Sequence, residues 1–155
     1  MFTAFITRLA VLKVRFITLL SGAALVVLSA GVCAQSNPQN SSVTIPQDTI
    51  ALRGTPTIRV DTTSDTTTRR RLTSKEADQQ RLMVKVIDGR YFWVNRENQP
   101  LKLQTSGEFT YLSSGDPGQY IKLRRINDRI SYVEHLDVGS GSVTYWGELR
   151  IELGK

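Results

Sequence analysis

Within "RISYVEHLDV", Glu134 and His135 are adjacent and Asp137 follows two positions later; His135 is the only histidine in the chain. A carboxylate beside an imidazole is a pair able to pass a proton near neutral pH. The stretch alternates apolar and polar residues, as a half-buried strand does. On a strand Glu134 and His135 point to opposite faces, which argues against a shared catalytic role. Glu134 is then the odd residue of an apolar face. Burial there raises a carboxyl pKa, so Glu134 is a candidate buried acid that acts as an acid or base or lines a polar cavity at a barrel end. A metal site needs partners that the sequence does not supply, and none is expected. Ser113 and Ser114 precede "GDPG", which lacks the strand–serine–helix elbow of a hydrolase nucleophile. It also lacks the helix N-terminus of a phosphate loop. No catalytic residue is assigned and no cofactor is expected.

A second set of residues points to binding rather than to a reaction. Phe109, Tyr111, Tyr120, His135 and Trp146 recur at positions that alternate with apolar residues, beside Lys102, Lys122, Arg124 and Arg150. Aromatic faces stack on sugar rings or bases, and lysine and arginine hold anionic groups. Phe109, Tyr111, Tyr120, His135 and Trp146, with Lys122 and Arg124, are therefore the candidate ligand-binding residues. The competing reading is that a short helix or the N-terminal segment covers them as a second small core.

The elements that must position these groups are strands. Val143 to Leu153 alternates with Val143, Tyr145, Leu149, Ile151 and Leu153 on one side and Trp146 among charges on the other. Asp88-Gly89 between two apolar runs is a two-residue hairpin signal, since both positions favour positive φ. Turn signals recur at "NRENQP", "TSGE", "SGDPG", "IND" and "VGSGS". They leave seven candidate strands between Met83 and Leu153, with connections too short for parallel crossovers. "LTSKEADQQRLM" reads as a short helix, with Thr73 and Glu76 at capping-box spacing. The expected class is all-β and mainly antiparallel. It is a single small meander sheet or a partly closed barrel of about six to seven strands, with one short N-terminal helix.

The turns set a register. A two-residue loop at Asn127-Asp128 places Leu123 opposite Tyr132 and Tyr120 opposite His135. A four-residue loop from Gly139 to Ser142 places Leu136 opposite Tyr145, His135 opposite Trp146, Leu149 opposite Tyr132 and Glu134 opposite Gly147, with Arg129 against Glu152. Extension toward the N-terminus puts Leu101, Leu103, Leu112, Ile121 and Leu123 inside. Gly147 marks a bend or a close backbone approach.

The domain organisation follows from composition. Arg8, Lys13 and Arg15, then the apolar run Phe16 to Ser29, then "AGVCAQS", form the pattern of a signal peptide over residues 1–34, cleaved after Ala34. A retained anchor, or lipidation at Cys33, is the alternative; Val32 before that cysteine disfavours the lipid. Cys33 is the only cysteine, so the mature chain has no disulfide framework. Without the three basic leader residues, 17 Lys and Arg face 14 Asp and Glu, a balance that gives no reason to expect nucleic acid. Residues 35–71 are polar and low in aromatics, expected as a mostly disordered stalk that is cut near Arg69 to Arg71 and leaves a folded fragment from Leu72. "TIALRG" and "PTIRV" within it have some strand character. Residues 72–155 are the β-domain. A leader plus a meander is similar, in architecture alone, to small lipocalin-like barrels.

The expectation is a secreted or periplasmic, non-enzymatic β-domain that binds a ligand or an envelope component through the aromatic-basic face. It meets the membrane only through the leader, or through an uncleaved anchor. The alternative is a structural or assembly module that uses that face or a sheet edge as a protein interface. A small hydrolase or isomerase using Glu134 or His135 is a third reading.

Overall fold

The computed structural model describes residues 40–155. The expected signal peptide and cleavage site, with Cys33, lie outside the described residues. In chain order the elements are β1 (Asn40–Ser41), β2 (Thr49–Thr62), β3 (Thr67–Arg71), helix α1 (Ser74–Gln79), β4 (Leu82–Ile87), β5 (Arg90–Trp93), β6 (Gln99–Ser106), β7 (Phe109–Ser113), β8 (Gln119–Ile126), β9 (Arg129–Val138) and β10 (Gly141–Leu153). A single 3-10 turn, Val94–Arg96, follows β5. The seven strands expected after the helix are β4 to β10. Asp88 and Gly89 adopt φ of 50° and 72°, which sets Ile87 opposite Arg90 in a tight hairpin.

Each of these strands pairs antiparallel with the next, and β2 joins the two ends of the meander. It pairs with β4 over Ala51–Gly54 and with β10 along nearly its whole length. The result is a closed barrel of eight strands, so both the first and the last strand of the meander are paired. This overturns the stalk reading for residues 40–71. The mean composition of 35–71 is poor in apolar residues, but Leu52, Gly54 and Pro56 alternate within β2 and are buried. Two neighbouring strands provide the apolar surface that the segment lacks. Pro56 cannot donate to a ladder. It sits between the last residue paired with β4, Gly54, and the first paired with β3, Ile58. There the β10 ladder shifts between Trp146 and Gly147. A Cβ on Gly147 would run into the Thr55 carbonyl oxygen, so the strand needs glycine at this close approach.

The interior is packed by Leu52, Leu82, Val84, Trp93, Leu112, Ile121, Leu123 and Tyr132, all fully buried. The segment before β2 packs against the barrel. Val43 joins the core, its N–H donates to Thr110 Oγ1 at 3.0 Å, and that hydroxyl donates to the Val43 carbonyl at 2.9 Å. Helix α1 carries the expected capping box between Thr73 and Glu76 and buries Ala77. The Thr73 backbone N–H and then Arg70 hold the Glu76 carboxyl down at about 2. Leu103 is an exception to the expected interior set, at 42% exposed. Beyond Leu101, β6 has no partner on the β5 side, so it splays from the wall.

Between β8 and β9 the register is as expected, with Leu123 opposite Tyr132 and Tyr120 opposite His135. Between β9 and β10 it is shifted. The loop has two residues, Gly139 and Ser140, with Gly139 at φ 60°, rather than four. Leu136 therefore faces Val143, His135 faces Thr144, Glu134 faces Tyr145, Val133 faces Trp146, Tyr132 faces Gly147 and Ile130 faces Leu149. The shift is even, so every side chain stays on its expected face. Arg129 pairs with Glu148 at 2.9 Å rather than with Glu152, which takes Arg53 at 2.7 Å.

Candidate ligand-binding face and the barrel interior

Odd-numbered residues of β7 and even-numbered residues of β8 point outward, because Thr110, Leu112, Ile121 and Leu123 point in. The outward set forms a run across three strands. Phe109 and Tyr111 rings lie 6.3 Å apart, Tyr111 meets Tyr120 edge-on at 6.2 Å, and Tyr120 stacks on His135 at 5.1 Å. Lys122 Nζ sits 3.6 Å from the Phe109 centroid, and the Arg124 guanidinium 5.6 Å from it. Glu108 anchors Arg124 at 3.6 Å. His135 Nδ1 is 2.9 Å from Thr144 Oγ1 on β10, and its Nε2 is 3.3 Å from Asp137. All six side chains of this run are half-buried, largely against one another.

Trp146 is not brought into this run. It lies on the outer wall of β10, half-buried, opposite Val133 and Ile58, and its carbonyl accepts from Thr57 Oγ1 at 3.3 Å. Thr144 takes the place next to His135 that the four-residue loop had reserved for Trp146. Helix α1 packs on β2, not on β7 to β9 where the aromatic run lies.

Glu134 is inside, at 3% exposed. Desolvation raises its pKa to about 7, against the opposing pull of Arg96. Arg96 Nη2 lies 3.5 Å from its carboxylate, reaching in from the 3-10 turn. The Trp93 indole N–H faces the same carboxyl without reaching hydrogen-bond geometry. Trp93 Nε1, Arg96 Nε and the Tyr132 hydroxyl are buried and have no partner. Tyr145 donates to Gln80 Oε1 at 3.1 Å, and Arg59 lies 5.6 Å from its ring while pairing with Asp61. Burial raises the pKa of both tyrosines. Of this interior set only Glu134 was marked from the sequence. Arg96 stands in "NRENQP", a turn signal, and nothing local says that a turn residue folds into a barrel mouth.

His135 and Glu134 lie on opposite sides of the wall, so they share no reaction. Among the described residues no three His, Cys, Asp or Glu side chains gather as metal ligands do. No protein family matches the chain, and no curated protein or solved structure matches it either.

Proposed function

We propose that this protein is an exported, non-enzymatic β-barrel that binds an anionic saccharide of the cell envelope or its surroundings through the outer face of β7, β8 and β9. One observation carries the reading: aromatic rings from three strands lie in contact on the outside of a barrel, with Lys122 and Arg124 set among them. Flat rings offer stacking surface to a sugar, and the two cations offer charge-assisted hydrogen bonds to its acidic groups. The interior core is packed, which favours a wall site over a ligand held in the lumen. Titration with an oligogalacturonate tests this. Binding in the parent chain, lost in Tyr111→Ala and in Lys122→Glu with the fold retained by circular dichroism, supports the reading. An oligogalacturonate that binds neither parent nor variants, or binds all alike, removes it.

A further inference from the structure

Where Arg96 emerges from its contact with Glu134, the turn after β5 and the β7–β8 turn form a mouth, an open cleft of about 490 Å³ lined by Asn95, Arg96, Glu97, Gln99, Asp116 and Gln119. Arg96 is the element common to cleft and interior. Its side chain is 37% exposed, yet its Nε is buried without a partner and its one ionic contact, to Glu134, is long at 3.5 Å. A guanidinium has five N–H donors, so most of the capacity of Arg96 is unused. Beneath it lies the Trp93 ring, 5.8 Å from the guanidinium, with its indole N–H turned toward the same Glu134 carboxyl. A buried Arg96 Nε without an acceptor is costly, and a ligand acceptor at the cleft would satisfy it. The rim has the opposite charge. Glu97 and Asp116 line it, and Gln99 Nε2 donates to Asp116 Oδ2 at 2.7 Å, fixing that carboxylate at the cleft wall.

We propose that the mouth binds a free α-amino acid with a polar side chain. Its carboxylate takes the Arg96 fork, its ammonium takes the Asp116 and Glu97 side, and its side chain meets the amides of Asn95, Gln99 and Gln119. A planar guanidinium matches a carboxylate through two parallel hydrogen bonds. The acidic rim rejects a simple anion, and the zwitterion satisfies both ends. The bound carboxylate replaces Glu134 as the partner of Arg96. Glu134 is well suited to give way, because its burial already favours the neutral acid. The charged and titratable groups near it are Arg96 from the 3-10 turn, Tyr132 on its own strand and Tyr145 on β10, with Arg59 and Asp61 of β2 beyond Tyr145.

Trp93 lies under the site and the only other tryptophan is Trp146, on the outer wall. The full chain carrying Trp146→Phe therefore reports on the mouth by its fluorescence. The probe is L-glutamine, compared with L-glutaminamide, which lacks the carboxylate, and N-acetyl-L-glutamine, which lacks the ammonium. A saturable change with L-glutamine is expected, weakened about tenfold or more in either analogue and in Arg96→Gln and Asp116→Asn. No saturable change with L-glutamine in the millimolar range, or equal binding of L-glutaminamide, overturns the proposal. If Arg96→Gln does not fold, the three ligands on the otherwise unaltered chain decide alone. Lys122→Glu should leave this titration unchanged, so failure here and failure of the outer-face reading are told apart.

Discussion

Glu134 stands directly opposite Tyr145 across β9 and β10, and the Arg96 guanidinium reaches its carboxylate at 3.5 Å from a turn outside the ladder. An ionisable acid thus sits among apolar side chains with one loosely held partner. Its contribution to stability depends on pH in a defined sense.

With a folded pKa of about 7 against an unfolded value of 4.5, the folded chain binds the Glu134 proton more tightly. The stabilisation is fully present below pH 4.5 and is lost as pH rises through about 7. The shift corresponds to on the order of 3 kcal/mol. Denaturant melts should show the parent losing stability between pH 5 and pH 8, while Glu134→Gln loses less over the same range. Parallel profiles for the two proteins would show that Glu134 is ionised and well paired in the fold.

Because β2 bridges β4 and β10, a chain that begins at Leu72 lacks one stave of the barrel. It exposes the facing edges of both neighbours and the core around Leu52. Far-UV circular dichroism and size-exclusion chromatography of residues 72–155 should show loss of the β signal or aggregation. A monomeric, cooperatively melting fragment would mean that the remaining seven strands close without β2.

Leu149, at 4% exposed, points into the core opposite Ile130. Leu149→Ala should destabilise by about 2–5 kcal/mol. Trp146, half-buried on the outer wall, should lose only about 1 kcal/mol on change to alanine. Urea melts of the two variants give the comparison. Equal losses would place Trp146 in a second core.

Thr73→Ala removes the hydroxyl that accepts from the Glu76 backbone N–H at 3.3 Å and breaks the capping box. The expected loss is about 1 kcal/mol in global stability, measured by thermal melts. An unchanged midpoint would show that α1 is held by its packing on β2 and not by its cap.

The strands, the helix cap and the faces were legible because they rest on local rules. Alternation, Asp88-Gly89 and the Thr73–Glu76 spacing each act within a few residues. Facing does not depend on the β9–β10 loop length to within two residues, since such a shift returns every side chain to its side; the loop decides only which residue of β10 stands beside His135, Thr144 and not Trp146. Burial of Glu134 was readable from the same alternation.

The sequence by itself determined the all-β antiparallel class, the inner and outer sides of each strand, and the aromatic and basic composition of the outer wall. Only the tertiary structure decided that the barrel closes. The strand that closes it, β2, lies at least 20 residues before its partner β4 and nearly a hundred before its partner β10, and the segment around it, residues 35–71, is polar on average. Its burial comes from those distant partners, and no local window contains them. The same holds for Arg96, a turn residue by sequence, which meets Glu134 only once the barrel has brought its mouth and its ninth strand together.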